Sequence, residues 1–295
     1  MRTRHLVGLI GADLGPSLTP PLHEREADRQ GLEYVYKRID IAELGLAPER
    51  VGDLLSTAGH LGYAGLNITH PCKQLAVEHV DELSADAEAL GAINTVVFAD
   101  GRATGHNTDL PAFQRNFARG LPDVATHRVV LLGAGGAGAA VAHAALGLGV
   151  GHLVVVDERP EPAAALAEAL RERFGPDRAG AAEADGLEAE LAPADGLIHA
   201  TPTGMETHPG SAVPAELLRP DLWVADVVYR PLETELLRAA RERGCRTLDG
   251  GGMAVFQAAL SFALFTGIEP DVGRMLRHFG ELTGTTPALA AREER

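Results

Sequence analysis

The sequence predicts an α/β protein of two domains, and three observations carry that expectation. Strand-like and helix-like segments alternate through nearly the whole chain, which is the pattern of a layered α/β architecture. A glycine-rich turn, Gly133 to Gly138, lies between an apolar run and a small-residue helix. The length, 295 residues, accommodates two domains of ordinary size.

Taken in order, apolar periodicity gives a strand at 5–10, a helix at 21–30, a strand at 34–39, a helix at 48–59 and a strand at 65–68. A helix at 84–90 takes Ser84 as its cap and stops at Gly91. Segments 96–99 and 102–106 flank Asp100-Gly101, a dipeptide that suits a two-residue hairpin turn, so the first sheet is expected to end in an antiparallel pair. A helix then runs from 108 to about 117, and Gly120-Leu121-Pro122-Asp123 breaks it. A domain boundary is placed near Asp109.

The second half opens with a strand at 128–132, the turn Gly133-Ala134-Gly135-Gly136-Ala137-Gly138, and a helix from 139 to about 148. Strand, glycine turn and helix form the context that the dinucleotide-binding fingerprint requires. Gly133 makes the tight turn, Gly135 admits a pyrophosphate against the backbone, and Gly138 lets the helix pack on the strand. The helix N-terminus then faces the phosphates with its N–H groups and dipole. The next strand, 152–157, ends on Asp157, 19 positions beyond Gly138. That is near the spacing of about 20 for the carboxylate that holds an adenosine ribose, and its charge would repel a 2′-phosphate. NAD is therefore favoured, with NADP as the alternative because Arg159 stands two residues on and suits a phosphate.

Strands at 196–199, 222–227 and 246–248 alternate with helices at 162–174, 214–218 and 232–243, completing a parallel sheet. The turn Thr201-Pro202-Thr203-Gly204-Met205 leaves the fourth strand where such a sheet presents its ligand crevice. The Ala/Glu-rich stretch 161–190 is expected to be a surface helix followed by a strand. An apolar helix at 254–265 carries Gln257, a last helix covers about 271–279, and the tail 285–295 is expected to be poorly ordered.

Composition narrows the partners. Lys and Arg number 26 against 41 Asp and Glu, a formal charge of −15, and no window gathers basic with aromatic residues, which argues against nucleic acid. Apolar runs are too short for a membrane span and nothing reads as a signal peptide, so a cytoplasmic location is expected. Cys72 and Cys245 match no metal spacing, and the histidines show none either, so no metal is expected. Cys72 beside Lys73 reads as a filler residue rather than a reactive thiolate.

The run Gly65-Leu66-Asn67-Ile68-Thr69-His70-Pro71-Cys72-Lys73 sets an amide, a hydroxyl and an ammonium at the end of a short apolar strand, with Pro71 opening a helix that carries Lys73. Asn94-Thr95 and Asn107-Thr108-Asp109 follow. Three polar clusters ahead of a nucleotide turn suggest a polyhydroxylated substrate held near a cofactor. Removing hydride from a secondary alcohol also requires loss of its hydroxyl proton, and an amine paired with a carboxylate can accept or relay that proton. Lys73 and Asp109 fit those roles; the alternative is an ordinary ion pair.

Ser17-Leu18-Thr19-Pro20 with His23, Asn67-x-Thr69-x-Pro71-x-Lys73, Gly91-Ala92-Ile93-Asn94-Thr95, Gly105-His106-Asn107-Thr108-Asp109, the glycine turn, Asp226-Val227-Val228-Tyr229, and Asp249-Gly250-Gly251-Gly252-Met253 with Gln257 occur in this order. Together they resemble the shikimate/quinate dehydrogenase family from Leu6 to about Phe279, closest to its NAD-linked quinate/shikimate branch. The resemblance implies a substrate-binding domain made of 1–108 and 248–295, to which the C-terminal helices return, and a Rossmann-type doubly wound cofactor domain of 109–247. It implies that Ser17 and Thr19 hold the substrate carboxylate and that Asn67, Thr69, Asn94, Tyr229 and Gln257 meet its hydroxyls or carboxylate. It gives Lys73 and Asp109 as the catalytic pair. On the cofactor side it places Gly133 to Gly138, Asp157, Arg159, Thr201, Pro202, Val227, Gly250 and Met253.

The chain departs from the commonest family pattern at three places. Thr19 replaces a serine, His199 replaces an asparagine, and Asp157 replaces the Asn-Arg-Thr run of NADP-linked members. The first and third resemble the NAD-linked branch. The implied function is NAD-dependent hydride transfer at a ring alcohol, interconverting shikimate with 3-dehydroshikimate and quinate with 3-dehydroquinate. Two readings compete with it: an NADP-linked biosynthetic shikimate dehydrogenase, and a dinucleotide-binding sensor without turnover, against which Lys73 and Asp109 both argue. The partners are small cyclic hydroxy acids, with a homodimer left open.

Overall fold

The computed structural model describes residues 4–284. The tail 285–295, expected to be poorly ordered, lies outside the described residues. Two compact units divide at Asp109/Leu110 and again at Ala254/Val255.

In chain order the first unit contains β1 (Arg4–Gly11), α1 (Thr19–Arg29), β2 (Glu33–Asp40), α2 (Val51–His60), β3 (Gly65–Ile68), β4 (Glu82–Leu83), α3 (Ala85–Leu90), β5 (Thr95–Ala99) and β6 (Arg102–His106). α4 (Asp109–Gly120) then carries the chain into the second unit. The first sheet runs β2-β1-β3-β5-β6-β4. β1 is parallel to β2 and β3, whereas β5 is antiparallel to both β3 and β6. The hairpin turns at Asp100 (φ 51°) and Gly101 (φ 77°), the paired positive angles that a two-residue turn of matching twist requires. α3 is capped by Ser84, whose hydroxyl accepts from Ala87 N–H, and it ends on left-handed Gly91, as expected.

Some expected elements change form. The helix expected at 48–59 splits into a 3-10 turn, Pro48–Arg50, and α2. Lys73 does not ride on a helix. The residues after Pro71 form turns, and only Leu75–His79 wind into a 3-10 segment. The Lys73 carbonyl accepts from Ile93 N–H at 2.9 Å, so this backbone is committed to the distant segment that leads into β5 rather than to a helical ladder. The short strand β4 was not anticipated; two residues carry too little periodicity to read.

The second unit contains β7 (Arg128–Leu132), α5 (Gly136–Gly147), β8 (His152–Asp157), α6 (Pro160–Phe174), β9 (Ala179–Glu183), α7 (Leu187–Leu191), β10 (Gly196–His199), β11 (Trp223–Asp226), α8 (Glu235–Glu242) and β12 (Thr247–Leu248). All of its strand pairs are parallel, in the order β12-β11-β10-β7-β8-β9. This is the doubly wound arrangement in which strand order reverses beside the first strand, here between β7 and β10. The helix expected at 214–218 is only a 3-10 turn, Ala215–Leu217, too short to repay helix nucleation. α7, a five-residue helix, was not anticipated.

α9 (Gly251–Thr266) begins in the second unit and ends in the first, where α10 (Val272–Thr283) completes the chain. β12 belongs to the second sheet, and Gly250 lies where an added Cβ would stand 2.3 Å from Val227 O, so the chain leaves that unit only after this close packing. Within the first unit Glu26 of α1 takes both nitrogens of the Arg274 fork on α10 and accepts from Asp271 N–H. Burial works against the Glu26 charge, but these donors win and hold its carboxyl below the ordinary range. Among the described residues no helix is long and apolar enough to cross a membrane.

Candidate functional site

In the first unit, sheet register builds the polar cluster. Asn67 on β3 pairs with Thr95 on β5, and Thr95 pairs with His106 on β6, so three segments distant in sequence end side by side. Their side chains then lock together. Tyr36 on β2 donates its hydroxyl to Asn67 Oδ1 (2.6 Å), Asn67 Nδ2 donates to Thr95 Oγ1 (3.1 Å), and Thr95 donates to Asn94 Oδ1 (3.0 Å). Asn94 Nδ2 donates to Thr108 Oγ1 (2.9 Å) while Thr108 N–H returns a bond to Asn94 Oδ1 (2.8 Å). Asn107 Oδ1 accepts from Asp109 N–H (3.0 Å) and its amide nitrogen donates to Ala92 O. Such a satisfied network is stiff, because each member has one orientation that keeps every bond.

At its end Lys73 Nζ donates to Asp109 Oδ2 at 2.6 Å, with both side chains mostly shielded from solvent. A charge-assisted bond of this length supplies a proton donor and an acceptor side by side. The backbone of Lys73 is tied to Ile93, next to Asn94, so the pair and the amide network share one frame.

The other expected residues of this unit lie in different places. Thr69 continues β3, its N–H donating to Ile10 O. Ser17 precedes α1, where its hydroxyl accepts from Thr19 N–H at 3.4 Å. Ser17 and Tyr36 both line an open cavity of about 470 Å³, so Tyr36 links that cavity to Asn67. Gln257 sits on α9, one turn before Ser261, whose hydroxyl donates to its carbonyl. Sequence reasoning missed Tyr36. Its signal was the Tyr34-x-Tyr36 alternation of β2, which puts both rings on one face.

Behind Tyr36, His23 is fully buried among Tyr36, Phe262 and Phe265, with Nδ1 bonded to the Tyr34 hydroxyl at 2.8 Å. Burial pulls its pKa down to about 3, so the ring stays neutral and packs as core. Burial also pulls down the pKa of His106. Cys72 is buried and its thiol is pushed up by burial and by Glu49, which keeps it protonated. Among the described residues no three His, Cys, Asp or Glu side chains converge as a metal-binding group.

In the second unit the candidate cradle is mostly main chain. Gly133 has φ +101°, and a Cβ there would stand 2.7 Å from Ala200 O. A Cβ on Gly138 would stand 2.0 Å from Gly133 O. Gly135 differs: it caps α5, and a Cβ on it would meet no protein atom within 4 Å. Two glycines are thus demanded by the fold, and the third faces open space at a helix N-terminus. That is the geometry a pyrophosphate needs, so the residues fit a dinucleotide. Ala137 follows Gly136 in the first turn of α5.

Asp157 ends β8 and braces this turn. Its Oδ2 accepts from Ala134 N–H (2.8 Å) and its Oδ1 from Arg159 N–H (3.0 Å). Each carboxylate oxygen keeps a lone pair for a ribose hydroxyl. Arg159 is the exposed N-cap of α6. Thr201 and Pro202 open the turn after β10, and Val227 N–H donates to His199 O across from it. Gly250 packs on the carbonyls of Val227 and Val228, and Met253 follows in the buried first turn of α9. Tyr229, beyond β11, is 37% exposed.

Residues 9–96 match the family model for the shikimate dehydrogenase substrate binding domain, and residues 250–278 match that for the shikimate 5'-dehydrogenase C-terminal domain. The chain is 66% identical to a shikimate dehydrogenase (NADP(+)) of Streptomyces avermitilis over 95% of its length and 97% of that protein. It is 48% identical to a quinate/shikimate dehydrogenase (NAD(+)) of Corynebacterium efficiens over 93% of its length and 97% of that protein. Among solved structures, quinate dehydrogenase from Corynebacterium glutamicum in complex with NAD superposes with a TM-score of 0.89 at 47% identity, covering 95% of this chain and all (100%) of that one.

Proposed function

This chain belongs to the shikimate dehydrogenase family, and we propose that it is an NAD(P)-dependent oxidoreductase interconverting shikimate with 3-dehydroshikimate and quinate with 3-dehydroquinate. The observation that carries the reading is the Lys73–Asp109 pair, 2.6 Å apart at the end of a side-chain network of amides and hydroxyls. A protein that only sensed a dinucleotide would have no use for it.

A dinucleotide held at the glycine turn would supply or accept the hydride. The chain's own residues handle the rest. In the reducing direction Lys73 Nζ donates to the substrate oxygen, stabilises the negative charge that grows on it and delivers the proton; in the oxidising direction the pair takes the hydroxyl proton back. Asp109 holds Nζ in place and passes the proton onward. Ser17 and Thr19 take the ring carboxylate, and Asn67, Thr69, Asn94, Tyr229 and Gln257 take the hydroxyls or that carboxylate. We assign substrate binding to the first unit, divided from the second at Asp109/Leu110 and Ala254/Val255 rather than at 108/109 and 247/248, and dinucleotide binding to the second.

On the cofactor side we assign Gly133 to Gly138, Asp157, Arg159, Thr201, Pro202, Val227, Gly250 and Met253, with NAD preferred. The support is Asp157, whose carboxylate stands where a 2′-phosphate would be repelled. A second reading, NADP preference, is favoured by Arg159 and by the NADP(+) name of the Streptomyces relative. Initial rates with shikimate and quinate, each crossed with NAD and NADP, decide between them. NAD-linked turnover of either acid is the expected result. Turnover with neither dinucleotide would refute the enzyme, and faster NADP-linked rates would select the second reading. Asp157→Ser is expected to lower the NAD/NADP ratio of kcat/KM, and an unchanged ratio would remove the ribose contact.

A further inference from the structure

A polar chain runs through the interior of the second unit, and the hydride chemistry makes no use of it. His199, at the end of β10, is fully buried, as are Asp226 at the end of β11 and Thr234 at the start of α8. His199 Nδ1 lies 2.9 Å from Asp226 Oδ1, and His199 Nε2 lies 2.5 Å from Thr201 Oγ1. Asp226 Oδ1 also accepts from Val228 N–H (3.0 Å), and Oδ2 accepts from the Thr234 hydroxyl (2.7 Å). Thr234 in turn caps α8 by accepting from Leu237 N–H (3.2 Å).

Proton placement follows from this inventory. Asp226 already acts as an acceptor on both oxygens, so the proton it shares with His199 is assigned to Nδ1. With Nδ1 as the donor, Nε2 is assigned as the acceptor, and the Thr201 hydroxyl donates into it. Thr201 Oγ1 is left to accept from Thr203 N–H at 3.3 Å. One histidine therefore sets both the direction of the Thr201 hydroxyl and the start of the turn 201–205.

That turn lies against the glycine cradle of the same unit. A Cβ on Gly133 would meet Ala200 O at 2.7 Å and Thr201 Cγ2 at 3.1 Å. The turn closes on itself through Met205 N–H to Pro202 O and Gly204 N–H to His208 O. Displacing Thr201 would thus shift the edge of the crevice at the point where strand order reverses. A leucine at 199 would fill the space but take from Asp226 Oδ1 one of its donors and from the Thr201 hydroxyl its acceptor.

We propose that His199 is a positioning residue for dinucleotide binding: anchored by Asp226, it holds the Thr201 hydroxyl and so fixes the turn that borders the glycine cradle. The proposal rests on the reading of this unit as the dinucleotide-binding one. Titration of the purified protein with NADH and NADPH, read by nucleotide fluorescence, tests the two separately. If the wild-type protein binds neither, the cofactor reading fails.

If it binds, His199→Leu and Thr201→Val are each expected to weaken dinucleotide affinity roughly tenfold, the loss of about one hydrogen bond. The double variant should be no weaker than His199→Leu alone, because both remove the same contact. His199→Gln, whose amide offers a donor and an acceptor, should restore affinity to within about threefold of wild type. For His199→Leu the loss should fall on KM for the dinucleotide more than on kcat. Wild-type affinity in Thr201→Val would overturn the proposal. So would a His199→Leu protein whose thermal midpoint drops while dinucleotide affinity stays unchanged.

Discussion

The first unit builds its candidate site from side chains, whereas the second builds its cradle from backbone. In the first, Tyr36, Asn67, Thr95, Asn94 and Thr108 bond one to the next across a mixed sheet and end beside Lys73 and Asp109. In the second, Gly133, Gly135 and Gly138 act through what they lack, and Asp157 serves the turn by accepting Ala134 N–H. The contrast matches the ligands proposed for each. A ring bearing several hydroxyls must be told apart from its isomers, which needs donors and acceptors at fixed points; a pyrophosphate needs clearance and converging N–H groups. Damage should therefore differ in kind. Changes in the first unit should remove chemistry or charge balance, and changes in the second should remove affinity.

The largest effect should come from Lys73→Met. Loss of the proton donor is expected to cut kcat by about 10²–10⁴-fold, while NADH binding measured by fluorescence stays as in the wild type. Comparable loss of dinucleotide affinity would break the division between the two units.

Next in size is an effect of acid on the first unit. His23 titrates near 6.5 when exposed but at about 3 when buried. Its folded pKa is depressed, so the unfolded chain binds the proton more readily. The stability from burying neutral His23 is complete above pH 6.5 and is lost as pH falls toward 3. Between pH 7.5 and 4.5 that is about 2–3 kcal/mol. Thermal midpoints measured at both values should fall less steeply in His23→Gln, which stays neutral throughout. Parallel slopes would show that other groups dominate.

Smallest, and most specific to the second unit, is Gly135→Ala. The added Cβ meets no protein atom within 4 Å, so stability should change by about 1 kcal/mol or less. Dinucleotide affinity should nonetheless fall roughly tenfold through contact with the pyrophosphate. Gly138→Ala, whose Cβ would stand 2.0 Å from Gly133 O, should instead lower the thermal midpoint. If Gly135→Ala binds normally, the open side of the turn is not where the phosphates lie.

Much of this molecule can be read in short windows of its sequence. Ser84 and Gly91 bracket α3, Asp100-Gly101 turns the hairpin, and β7 and β8 fall on the residues expected, because capping, turn chemistry and apolar periodicity are settled within a few neighbours. The glycine turn stands out for the same reason, since strand, loop and helix are contiguous. Windows fail where a backbone group finds a distant partner, as when the Lys73 carbonyl takes Ile93 N–H and the expected helix dissolves into turns.

What the tertiary structure alone decided is which polar groups meet. Tyr36 reaches Asn67 across 31 residues, His199 reaches Asp226 across 27, and Lys73 reaches Asp109 across 36. The first two meetings depend on strand order and register in the two sheets, and a shift of one residue would turn those side chains to the opposite face. Local sequence determined the elements and the kinds of chemistry they carry. Pairing of strands far apart in the chain determined the hydrogen bonds, because a sheet brings together residues whose separation no local pattern encodes.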